Sequence, residues 1–313
     1  MSVRRIDTHQ HIVPPAYAAW LERMGQKAGG LPIPDWNAED AIAFMDRYQV
    51  ETGILSVSTP GVHLGDDQEA RRMARLLNDY CASVVARNPG RFGFFATLTL
   101  PDVEGSLAEL AYAYDVLHAD GVALLANVDG IYLGDPRWDP LFDELERRQA
   151  VVFIHPSTLK GAEAIEGLPP FAADFLLDTT RAAIRLCTPG TMQRCPNVKV
   201  ILAHAGGFLP YAAARIVTTT GPAAQANGIA MLASLKRFYF DTALSASQFA
   251  LPSLLAFAEP GHVTFGSDWP VAPDRAAGSY VSMFERFELD PGARASIDRG
   301  AAETLFPRFA TRS

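Results

Sequence analysis

The sequence predicts a single α/β domain built as a (β/α)₈ TIM barrel, with long loops after strands one and five. Three observations carry that expectation: eight short, apolar, β-rich runs; stretches of helical periodicity between them; and histidine and aspartate residues collected where those runs end. Short continuous apolar strands alternating with helices imply a parallel sheet covered on its outer face. A chain of 313 residues fits one such barrel, because this fold routinely reaches that size as one domain.

The expected strands are Val3–His9, Gly53–Val57, Phe92–Ala96, Val122–Leu125, Val151–His155, Val198–His204, Phe238–Asp241 and Val263–Asp268. Between them, Ala38–Tyr48, Asp67–Arg87, Leu141–Gln149 and Asp174–Leu186 repeat apolar residues at three- and four-residue intervals, as helices covering a sheet must. His118 falls in a further helical stretch, and His262 opens the last strand at the opposite end of the barrel from the active-site loops. An open, doubly wound sheet is the alternative, but no G-x-G-x-x-G follows the first strand. Residues 12–37 and 156–170, rich in Pro and Gly, are the two insertions in a domain spanning 1–313. Both follow strands and so lie at the C-terminal face, where barrel active sites sit.

Composition narrows the function. A formal charge of −8 argues against a nucleic-acid partner, since phosphate binding needs a concentrated basic surface. The chain has no apolar stretch of signal-peptide or membrane-spanning character near its N-terminus. Cys81, Cys187 and Cys195 are scattered and odd in number, which reads as reduced thiols of a cytoplasmic protein.

The chemistry gathers at strand ends. His9, His11, His155 and His204 lie at or just beyond the ends of strands one, five and six, and Asp268 ends strand eight. Barrel geometry turns them into one mouth. His9 and His11, two apart, face the same side of an extended strand. Imidazole and carboxylate are donors that Zn²⁺ and its neighbours accept, and three His with one Asp leave a position for water or substrate. His63 follows strand two in the C-terminal loops and is a candidate substrate contact. Trp36, Phe208 and Trp269, with Tyr17, Trp20 and Tyr211, would line the mouth with flat apolar surface suited to an aromatic ring.

Four motifs in order are similar to the decarboxylase branch of the amidohydrolase-related superfamily: Ile6-Asp7-Thr8-His9-Gln10-His11, Phe153-Ile154-His155-Pro156, Ile201 to Gly207 around His204, and Phe265-Gly266-Ser267-Asp268-Trp269-Pro270. Asp178-Thr179-Thr180-Arg181 also resembles that branch, and the likeness runs nearly the full chain. The branch includes aminocarboxymuconate-semialdehyde, γ-resorcylate and 6-methylsalicylate decarboxylases. The resemblance implies that His9, His11, His155 and Asp268 bind one divalent ion, Zn²⁺ or else Mn²⁺, with His204 as acid/base residue and Asp268 sharing the proton work. Binuclear members use a carboxylated lysine on strand four; Gly121–Asn127 contains no lysine, so a single ion is expected. Arg215 occupies the place of an arginine that reaches a neighbouring subunit's substrate, which implies a homodimer. The clamping arginine of the muconate enzyme has no match in residues 12–37, where Arg23 is the only arginine.

The expected reaction is non-oxidative decarboxylation of a small aromatic carboxylate of hydroxybenzoate or salicylate type. The alternative on the same site is metal-dependent hydrolysis of a lactone, amide or related bond. A purely structural ion is disfavoured, because such sites normally close with protein ligands that include Cys, and no Cys here lies at a strand end.

Overall fold

A computed structural model describes residues 4–163, 165–188, 190–219 and 224–310, apart from the side chains of 224–227. Its centre is an eight-stranded parallel sheet: β1 (Arg5–His11), β2 (Val50–Ser56), β3 (Phe92–Thr97), β4 (Gly121–Leu125), β5 (Val151–His155), β6 (Lys199–Leu202), β7 (Tyr239–Asp241) and β8 (Val263–Thr264), paired in chain order. The two edges meet. Asp7 bridges Phe265, and the amides of Thr8 and His11 donate to the carbonyls of Phe265 and Trp269 at 2.9 and 2.7 Å. Asp268 N returns a bond to His9 O at 2.8 Å, so the sheet closes into a single-domain (β/α)₈ barrel.

Two packed layers hold it. Inside, Ile6, Ile54, Phe95, Phe153, Ile201 and Tyr239 fill the barrel, and Leu305, Phe306 and Phe309 from the C-terminal segment pack with them. Outside, the helices bury residues such as Phe44, Leu77, Leu110, Phe142 and Leu186 against the sheet. Helix starts follow the sequence: Asn37, Asp66 and Asp102 each accept a backbone N–H of the first turn, satisfying a donor the helix itself cannot.

The strand and helix positions agree with expectation to within a few residues, and the differences have physical causes. Val3 lies outside the described residues. β1 continues to His11 through a register shift against β2 between Asp7 and Gln10. The sixth and eighth strands stop short of His204 and Asp268, which both take positive φ (54° and 64°) and leave the ladder. His118 sits past the helix Val103–Asp115, with φ 57°, in the turn into β4 rather than in a helix. The loop after β1 contains a helix, Pro15–Arg23, whose Tyr17, Trp20 and Leu21 are buried.

Candidate metal centre and its pocket

Residues at strand ends bring four histidines and one aspartate together. The His9 and His11 rings stand edge to face, with centroids 4.8 Å apart, and His155 lies 5.3 and 4.9 Å from them. The ligand atoms of His9, His155, His204 and Asp268 all fall within 4.8 Å of one another. His11 Nε2 is 3.1 Å from His9 Nε2 and 3.0 Å from Asp268 Oδ1. All five side chains are buried.

The hydrogen bonds around the cluster decide which atoms are free. His9 Nδ1 donates to Asp241 Oδ2 at 2.8 Å. His11 Nδ1 faces Ser56 Oγ and Ser56 O at 3.0 and 3.3 Å, and His155 Nδ1 donates to Pro156 O at 2.8 Å. Each ring thus spends its N–H outward and presents an Nε2 lone pair inward. Two such lone pairs at 3.1 Å, beside an Asp268 Oδ1 3.0–3.1 Å from both nitrogens, repel unless a proton or a metal cation lies among them. The donor set therefore fits a divalent metal ion.

Protonation preferences agree with that demand. Burial opposes charge on His9, yet Asp241 and Asp268 carry it up to about 10, so the spot draws in positive charge. Burial, helped by the neighbouring histidines, holds His155 well below the ordinary imidazole value, in the neutral form a metal needs. Burial alone would raise Asp268, but His9, His11 and His204 hold its carboxyl well below the usual range. A dication can satisfy the same carboxylates while leaving the imidazoles neutral.

His204 belongs to the same cluster, its ring centroid 4.9 Å from His9 and 5.5 Å from His155. It follows β6 at the head of a left-handed pair, His204 and Ala205, with φ of 54° and 57°. Gly207 then turns so close to the helix Asp174–Cys187 that a Cβ there would sit 1.9 Å from Leu176 O. The ring ends with Nε2 3.5 Å from Asp268 Oδ2 and with Nδ1 buried and unpartnered.

The cluster opens into a cavity of about 340 Å³ bordered by His155, His204 and Asp268. Its other walls are mostly apolar: Phe171, Phe175, Leu176, Leu244, Val271, Ala272 and Ala276, with Ala28, Gly29 and Leu31 from the first long loop and the ring of Tyr280. A second cavity of about 320 Å³ meets the first at His155 and includes His63, Asn127, Ser157 and Lys160. His63 there also pairs with Asp67 at 2.8 Å.

The other expected substrate contacts lie elsewhere. Trp36 is buried edge to face with Tyr80, and Trp269 stacks on Phe44 at 5.4 Å while donating to Asp274. Neither borders the two cavities beside the cluster. Phe208 and Arg215 are exposed at and on the helix Leu209–Thr218. Sequence reasoning passed over Phe171, Phe175, Tyr280 and Asp241. The first three sit on helical segments whose apolar pattern does not separate pocket from core, whereas Asp241 was detectable, since it ends β7 as His155 ends β5.

Fold and cluster together define a (β/α)₈ barrel with a metal-binding mouth. The chain belongs to the amidohydrolase family, whose model matches residues 6–308. It is 38% identical to decarboxylase macB of Penicillium terrestre, over 98% of this chain and 96% of that protein. It is also 38% identical to the 6-methylsalicylic acid decarboxylase of Penicillium expansum, over 97% of each. Among solved structures it is similar to an amidohydrolase II, with a TM-score of 0.91 at 29% identity, covering 97% of this chain and 99% of that one.

Proposed function

We propose that this protein is a metal-dependent carboxy-lyase that removes CO₂ from an aromatic acid of hydroxybenzoate or salicylate type. The observation that supports this most is the cluster of inward-facing imidazole and carboxylate atoms at the head of an apolar, ring-lined cavity. His9, His11, His155 and Asp268 hold one divalent ion, and His204 is the acid/base group. The ion supplies Lewis-acid attraction for the substrate carboxylate and an adjacent oxygen.

The chain's own residues do the rest. Phe171, Phe175 and Leu244 receive the ring and exclude water, which strengthens every polar interaction inside. Among the described residues no lysine or arginine lines this cavity, and Lys160 borders only the neighbouring one. A second carboxylate on a ring held in this cavity would enter without a partner, which favours a monoacid substrate. His204 gives a proton to the ring carbon that bears the carboxylate, and Asp268, its Oδ2 3.5 Å from His204 Nε2, shares the proton work by pairing with that imidazole. The bond from that carbon to the carboxylate then breaks, its electron pair restores the aromatic ring, and CO₂ departs.

The finer readings follow from donor chemistry and surface. Zn²⁺ suits three imidazoles and one carboxylate, with Mn²⁺ as the competitor. Segments 12–37 and 156–170 act as active-site loops, since Ala28, Gly29 and Leu31 border one cavity and Ser157 and Lys160 the other. Exposed Phe208 and Tyr211 beside Arg215 favour a homodimer in which Arg215 approaches the partner's site. Three free, buried thiols suit the cytoplasm. Among the described residues no helix is long and apolar enough to cross a membrane.

A panel of hydroxybenzoates and lactones tests the assignment on metal-loaded protein, with CO₂ release and ring opening measured separately. CO₂ with the matching decarboxylated arene is the expected result. Ring opening without CO₂ would make the protein a hydrolase.

A further inference from the structure

We infer that Asp241 is a positioning residue that fixes both the tautomer of His9 and the placement of His204, so that one buried carboxylate aligns the ion's ligand with the proton donor. The inference rests on the metal reading above. Asp241 ends β7 and is fully buried. Its Oδ2 accepts from His9 Nδ1 at 2.8 Å, and its Oδ1 accepts from His204 N at 3.0 Å and from Ala243 N at 2.9 Å. Space for this arrangement comes from Gly266, where a Cβ would sit 2.9 Å from His9 Cβ and 3.1 Å from Asp241 Cβ.

The consequence lies in proton bookkeeping. With a carboxylate at Oδ2, His9 must carry its proton on Nδ1, which leaves the Nε2 lone pair directed at His11 and Asp268. An asparagine in the same place has one acceptor and one donor end. Two backbone amides compete for its oxygen at the Oδ1 position, so its NH₂ turns to His9 Nδ1 and that nitrogen becomes the acceptor. The ring proton then moves to Nε2 and removes the lone pair. The opposite amide orientation sets NH₂ against the N–H groups of His204 and Ala243, leaving both donors buried without an acceptor.

This separates a tautomer role from a merely structural one. Asp241→Asn preserves volume and two backbone bonds, whereas Asp241→Ala removes all three bonds and leaves a small void. If Asp241 only held the fold together, alanine would be the worse substitution. If it sets the tautomer, asparagine is worse for the metal, because alanine lets His9 choose either nitrogen.

The experiment measures Zn²⁺ affinity by chelator competition for wild-type protein, Asp241→Asn and Asp241→Ala, with unfolding temperatures recorded for each apo form. We expect Asp241→Asn to bind about 10–100-fold more weakly than wild type, and more weakly than Asp241→Ala, while its apo form unfolds at the higher temperature of the two. Equal affinity of wild type and Asp241→Asn, or a weaker Asp241→Ala, overturns the inference. A wild type that binds no Zn²⁺ overturns the metal reading instead. Should Asp241→Asn fail to fold, ¹⁵N-histidine spectra of the Zn²⁺-loaded wild type still decide. A His9 signal protonated at Nδ1 is expected, and one protonated at Nε2 contradicts it.

Discussion

The two ends of β1 solve the problem of buried charge in opposite ways. At its start, Arg5 is buried and paired: Nε donates to Asp298 at 2.8 Å, Nη1 to Glu285 at 3.0 Å and to Tyr48 O at 2.9 Å, and the guanidinium lies over the Phe265 ring. At its end, His9 and His11 turn lone pairs toward one another and toward an Asp268 oxygen without a partner. A buried polar group left unmatched costs stability, so most are matched and a cluster of unmatched ones calls for a reason. The matched end therefore reads as architecture and the unmatched end as chemistry, a few residues apart on one strand.

Substitutions at the two ends should break this contrast in different currencies. The largest effect belongs to His11→Ala. It deletes an inward donor, so metal and turnover should vanish together, with activity down by more than the ~10⁴-fold of an acid–base group alone; metal analysis and kcat on the same sample check this. His204→Ala should keep the ion and lose about 10²–10⁴-fold in kcat. Loss of the ion from that variant would instead make His204 a ligand.

At the matched end, Arg5→Met should leave Asp298 buried without its partner and destabilise the fold by about 3–5 kcal/mol. Urea unfolding measures that cost. The metal content of the folded fraction should not change, and a variant that lost its ion at full stability would erase the distinction between the two ends. The smallest effects lie in the loops. Trp36→Phe removes an indole N–H that has no hydrogen-bond partner, and should cost under about 1.5 kcal/mol with KM unchanged. Phe175→Ala, in the cavity wall, should raise KM about tenfold, equivalent to about 1.4 kcal/mol. A reversal of that pair would move the substrate site toward Trp36.

The same contrast explains what could be read from the chain alone. His9, His11, His155, His204 and Asp268 were legible as one cluster because barrel topology sends strand ends to one mouth, however far apart they lie in sequence. The cavity walls were not. Trp36 and Trp269 are aromatic residues in loops near the mouth, but their rings pack against Tyr80 and Phe44, the latter on the helix Ala38–Arg47. Which way a loop ring turns depends on tertiary packing that no local pattern encodes. Phe175 and Tyr280 face the cavity from helices whose periodicity marks an apolar face without saying what it faces. Asp241 carries no motif of its own, but its place at the end of β7 put it, by the same topology, at the mouth beside His9 and the His204 turn.

Metal stoichiometry tests the central claim most directly. Protein purified without chelator and analysed for elemental content should hold close to one divalent ion per chain, and chelation should abolish activity until the ion is restored. The account is contradicted if two ions are found per chain, or if the protein remains fully active with none.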